Sequence, residues 1–149
     1  MDELLLSIMQ HIAAAMPELS LVDEDYGQLE TQEDTYPVTF PCVLVGNMVG
    51  DWRDLGYSGA QEGTVMLTVR MVIDCYDDTH VGSTQENAIT DRQQMARKLY
   101  KALQMQRFCK DMGPLSRVKS QDYTIAHGIK VYDQTYQFDY KDMSAMAGA

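Results

Sequence analysis

Between Gly63 and Asp77 the chain contains no Gly, no Pro and no turn pair. Val65, Leu67, Val69, Met71, Ile73 and Cys75 alternate with a mixed set, Thr64, Met66, Thr68, Arg70, Val72, Asp74 and Tyr76. That alternation predicts a β-strand with one face in a core. A strand from Gly63 to Tyr76 extends roughly 45 Å at about 3.4 Å per residue, where most strands have about 5–6 residues. A compact chain of this size has a diameter of about 40 Å. The strand therefore spans or exceeds its own domain, and its edges and ends must be curled, bulged or covered. Neighbouring copies are an economical cover, and a closed ring of identical subunits hides every such edge.

The rest of the sequence divides around this ribbon. Asp2 is placed to cap a helix whose apolar positions are Leu5, Ile8, Met9, Ile12 and Met16, with Pro17 ending it. "LSLV", residues 19–22, reads as a short strand. From Asp23 to Pro41 the chain is polar and carries six carboxylates, which reads either as a solvated excursion or small hairpin, or as an arm that orders on a partner through Leu29 and Tyr36. "CVLVGNM", residues 42–48, is a strand, and the only Trp, Trp52, stands in a Gly-rich connection after it. Ser83 and Glu86 make a capping box for a helix running to about Phe108, with Ala88, Met95, Ala96, Leu99 and Leu103 on one face. Two strands follow, about 115–126 and 129–140, joined at His127-Gly128. The last changes phase between Val131 and Tyr136, which a bulge near Asp133 would reconcile. The tail 141–149 reads as frayed. The expected fold is one α+β domain over 1–149. Its antiparallel or mixed sheet has about 4–5 strands with two helices on one face, in the order α-β-β-β-α-β-β with a long central β-hairpin.

Chemistry-bearing patterns are sparse. The chain has no GxSxG, P-loop, GxGxxG or HExxH pattern. Asp74, Asp77, Asp78 and His80 could hold a divalent cation, but the same residues suit a polar turn before a helix N-terminus. His11 and His127 read as surface and turn residues, and Cys109 lacks a visible partner base. Cys42, Cys75 and Cys109 are odd in number and far apart, which speaks against a disulfide framework or zinc knuckle. The expectation is a non-enzyme with no cofactor and no bound metal. The formal charge of -10 disfavours nucleic-acid binding, while leaving room for a wall that DNA slides past. The acidic start of "MDELLLSIMQHIAAAMPELS" does not fit a signal peptide, and no membrane anchor is expected.

Eleven Met and nine Tyr suit an interface, since both residue types adapt to or anchor protein contacts. The candidate contact residues are Leu29 and Tyr36 on the arm, Trp52, Met66, Arg70, Val72 and Tyr76 around the long strand, and Tyr136 on the last strand.

In sum, "MPEL" after an amphipathic helix, an extended acidic segment, "PCVLVG", "GAQEGTVMLTVRMVIDCY", a long helix and two closing strands resemble the tail terminator (tail completion) proteins of long-tailed bacteriophages, over roughly residues 2 to 140. The resemblance implies a small α+β phage or prophage protein that forms a hexameric ring at the head-proximal end of the tail tube. It implies four partners: further copies of itself, the tube protein whose polymerisation it stops, the head connector or neck protein, and DNA that passes through without specific binding. It also implies a virion location after assembly in the bacterial cytoplasm. The resemblance assigns no role to any individual residue. A neck or head–tail adaptor or minor tail protein is the alternative within the same setting, and a small cytosolic ligand- or metal-binding module the alternative outside it.

Overall fold

The computed structural model describes residues 1–33, 35–75 and 86–146. Helix α1 (Leu4–Ala15) leads to β1 (Leu21–Glu24), a single 3-10 turn (Gln28–Glu30), β2 (Cys42–Asp54) and β3 (Gln61–Asp74). Helix α2 (Glu86–Leu103) follows, then β4 (Ser116–Ile125) and β5 (Ile129–Asp142), joined through the turn Ala126–Gly128. One five-stranded sheet has the order β1-β2-β3-β5-β4. The β1–β2 pair is parallel and the other three are antiparallel, so the sheet is mixed and the fold α+β.

Both helices pack on one face of the sheet. Leu4, Ile8, Ile12 and Met16 of the first helical segment and Leu99 and Leu103 of α2 meet Val65, Leu67, Val69, Met71, Tyr136 and Phe138 in the main core. His11 ties the helices together, its Nε2 lying 2.7 Å from the Ala102 carbonyl oxygen. Asp2 does not cap α1: Glu3 holds the N-cap position without a side-chain bond. The second helix is also shorter than its apolar pattern suggests. It stops at Leu103, because Met105 turns to a left-handed φ of 65° and its N–H bonds to the Leu115 carbonyl. Ser83, the expected cap, lies outside the described residues.

The opposite, outer face carries a second, smaller core at one end. Leu29 and the half-buried Tyr36, Val38 and Phe40 cover Cys42, Leu44, Val72, Ile129 and Val131. The acidic segment after β1 is therefore neither a free excursion nor an arm held out for a partner: it lies back across its own sheet. This explains the contiguous apolar run "CVLV" at the start of β2, since the strand is buried on both faces there. It also corrects the expected bulge in β5. The β3–β5 register is continuous from Ile129 to Asp142, with no bulge at Asp133. Ile129 and Val131 face the small core and Tyr132, Tyr136, Phe138 and Tyr140 the large one. The irregularities sit elsewhere, between Arg117 and Lys119 in β4 and between Gly46 and Val49 in β2.

Trp52 is not in a loop. β2 continues to Asp54, so β2 and β3 form a long hairpin closed by residues 55–60. β3 is the central strand, paired to β5 along its whole length and to β2 from Gln61 to Val72. The ribbon's own hydrogen bonds are thus satisfied within the chain, and no neighbouring copy is needed to cover it. The open edges are β4 on one side and, on the other, β1 and the distal half of β2, because β1 pairs only with Cys42–Val45. The tail is also more engaged than its composition suggests. Lys141 and Asp142 belong to β5, and the Ala145 carbonyl oxygen would be 2.5 Å from a Cβ at Gly59.

Candidate functional site

The outer face of the sheet is organised around Arg70. Its Nε and Nη2 donate to Asp25 Oδ2 and Oδ1 at 2.8 and 3.0 Å, and its Nη1 and Nη2 to Glu30 Oε1 and Oε2 at 2.7 and 3.2 Å. The chain reaches this point by a sharp turn. Gly27 takes a φ of 98°, which an L side chain resists, and its N–H donates to Asp25 Oδ1. Asn47, at a φ of 55° in the β2 bulge, donates from Nδ2 to Asp25 Oδ2 at 3.3 Å. The bulge thus turns a side chain toward the crossing segment. Burial disfavours the charged guanidinium, but its bonds to Glu30 and Asp25 more than offset that, and the Arg70 pKa is raised. A permanently charged, fully engaged arginine has no proton to exchange. The cluster fastens the strap that follows β1 to the sheet.

Beyond the strap the outer face is open. Val49 and Met66 are opposite in register, and both are exposed. They are bordered by the Arg53–Glu62 ion pair at 2.7 Å and by Thr64, whose hydroxyl donates to Asp139 at 3.3 Å. On the helix-side face Trp52 lies over Gly63, edge-on to Tyr140 with ring centroids 6.4 Å apart. The closing turn presents Leu55 and Tyr57, the latter fully exposed. Leu55 and Tyr57 make the hairpin tip an apolar projection, and Val49 and Met66 form a second exposed apolar pair farther back on the outer face, beyond Asp51–Thr64 and Arg53–Glu62; both are features suited to protein contact.

A cleft of about 440 Å³ separates α2 from β4. Arg97, Lys101 and Arg117 line it, and the Arg117 guanidinium sits 3.8 Å above the Tyr100 ring. Its floor includes buried Gln134, which donates from Nε2 to the Ala96 carbonyl at 3.0 Å and accepts from the Tyr136 hydroxyl.

The expected contact residues fall into three groups. Val72 and Tyr136 have no exposed surface and Leu29 almost none, so their side chains cannot meet a partner in this conformation: they pack the two cores. Arg70 is buried by its acids, and Tyr36 lies on the strap, donating to the Ala126 carbonyl at 3.2 Å. Among the described candidates only Met66 and Trp52 are exposed, both in the β2–β3 hairpin, while Tyr36 is half-buried. Tyr76 lies outside the described residues, as do Asp77, Asp78 and His80. The four-residue cation cluster is thus not assembled among the described residues, of which only Asp74 belongs to it, and no other group of three or more such ligands occurs there. Val49, Leu55 and Tyr57 were missed. The signal was present in Gly56 and Gly59, which bracket Tyr57 in a turn tip, where an aromatic has nothing to pack against.

The three cysteines are free. Burial pushes the Cys42 thiol up to about 12 and the Cys75 thiol up as well. No helix among the described residues is long and apolar enough to cross a membrane.

No family model matches the chain. No curated protein matches it. Among solved structures, the fold is similar to that of a chain in the "Virion of native gene transfer agent (GTA) particle", with a TM-score of 0.61 over 93% of this chain and 95% of that one, at 11% identity.

Proposed function

We propose that this chain is a structural protein of a phage or phage-like virion and, more specifically, a tail terminator-like subunit whose ring caps the tail tube and joins it to the head connector. The observation that carries the reading is the likeness in fold to a virion component over nearly the full length of both chains. Two features of the surface support it. The hairpin exposes Tyr57 and Leu55 at its tip and Val49 and Met66 farther back, and β4 leaves a ten-residue edge unpaired. Both are liabilities in a solitary protein and become contacts in an assembly.

The mechanism is steric. One ring face copies the acceptor surface of the tube, with the hairpin ends as its contact points. The other face offers the tube protein no further site and meets the connector instead. DNA crosses the opening without binding, as suits a chain of net charge -10. The reading assigns the chain no catalysis and no cofactor.

Native mass measurement and negative-stain imaging at micromolar concentration, with and without tube protein, test it. A closed ring, with tubes of arrested length when it is added, is the expected result. A monomer under every condition overturns the proposal. A ring that leaves tube growth unchanged transfers the chain to the neck or adaptor role.

A further inference from the structure

The two lateral edges of the sheet carry opposite charge. Eight of the twelve Lys and Arg, and one of the twenty-two Asp and Glu, lie between Arg92 and Gln121. The fold gathers that segment into α2, the turns after it and the edge strand β4. Arg97, Lys101 and Arg117 line the cleft there together with Asp122, which pairs with Lys130, and Asp133, which accepts from Gln121 and Tyr123; among the described residues none of the three cations, nor Lys119, has an ion-pair partner. The other edge consists of β1 and distal β2, where Glu24, Asp51 and Asp54 are exposed.

This arrangement discriminates between modes of self-association. A two-fold contact places the same patch on itself, so it would set cation on cation or acid on acid. A head-to-tail contact sets the cationic edge of one copy against the acidic edge of the next, and repeated rotation closes it into a ring. From this we infer that copies of the chain join head to tail, with the acidic β1–β2 edge of one seated against the α2–β4 cleft of its neighbour. Arg97 and Lys101 on the helix side then meet Glu24, which is paired in register with the inward-facing Val45; Asp51 stands on the outer face of the same edge, and the Arg117 guanidinium is held in place by Tyr100. The inference rests on the ring reading and deepens it by naming the surfaces that meet.

Two charge-reversed proteins test it, R97E/K101E and E24K/D51K, all four positions being exposed and outside both cores. Circular dichroism melts are expected to match the wild type. Each variant alone is expected to assemble about tenfold or more weakly, because like charges now face each other at every joint. An equimolar mixture is expected to recover the wild-type assembly, since alternating copies restore opposite charge at each contact. Raising NaCl from about 0.05 to about 0.5 M should weaken the wild-type ring as the charges are screened. Variants that assemble singly as the wild type does, or a mixture no better than its components, overturn the inference and leave the ring reading standing. A wild-type protein that stays monomeric at every salt concentration overturns both.

Discussion

Arg70 and Asp25 form a two-pronged pair, Nε to Oδ2 at 2.8 Å and Nη2 to Oδ1 at 3.0 Å, between residues 45 positions apart in the sequence. Both side chains are nearly excluded from water, at 9% and 2% exposure. Removing Arg70 strands the buried Asp25 carboxylate and removing Asp25 leaves the guanidinium only Glu30, whereas removing both leaves no buried charge. Asp25→Asn or Arg70→Met should each cost about 3–5 kcal/mol, and the double variant markedly less than their sum. Urea unfolding of the four proteins measures this. Limited proteolysis should show the 26–41 strap cut first in both single variants, and equal protection in all four would refute its role as a fastening.

Gly63 and Trp52 are similarly interlocked. A Cβ at Gly63 would lie 2.5 Å from Trp52 Cε3, within the ring and not at a flexible chain end. Gly63→Ala is therefore expected to destabilise by about 1–3 kcal/mol. The sole tryptophan reports it directly, because displacing the ring from Tyr140 alters its emission. Combined with Trp52→Ala, the Gly63→Ala cost should largely vanish, and additivity of the two would contradict the contact.

Cys42 gives a pH dependence with a defined sign. Its thiol is raised by burial from 9.0 to about 12, so the folded state favours the protonated form. The stability this represents is complete below pH about 9 and is lost as the pH rises toward 12. Burial raises the Tyr136 hydroxyl in the same direction, so that group adds to the alkaline loss above pH about 10. Unfolding free energy measured from pH 8 to 11 should fall in the wild type and fall less steeply in Cys42→Val. A disulfide-forming dye at neutral pH should modify Cys75 and Cys109 while leaving Cys42 untouched until denaturant is added.

Tyr57 separates assembly from folding. It makes no buried contact, so Tyr57→Ser should leave thermal stability within about 0.5 kcal/mol of the wild type. The same change is expected to weaken arrest of tube growth, read by imaging of tube lengths. Unchanged arrest would remove the hairpin end from the tube-facing surface.

Much of the architecture was legible in the residues. The alternation of Val65 through Ile73 and the helical spacing of Leu99 and Leu103 named their elements, because side-chain periodicity is imposed by the backbone geometry of each element. Trp52 misled because Gly50 and Gly56 mimic loop punctuation. In the fold Gly50, within β2, and Gly63, opposite Trp52 in β3, leave room for the indole ring, so the strand runs on through the glycine. Of the described candidate contacts, only Met66 and Trp52 are exposed, and Tyr36 is half-buried. Periodicity tells which residues share a face and is silent on what covers it.

By itself, then, the amino-acid order determined the elements, their succession and the apolar face that receives both helices, since each of these is set within a few residues along the chain. Only the tertiary structure decided that the acidic segment closes over the far face. Arg70 finds Asp25 there, and Ile129 and Val131 of β5 are drawn away from the main core. Those outcomes depend on groups far apart in the chain meeting at low dielectric, where a carboxylate and a guanidinium must find each other or remain in water.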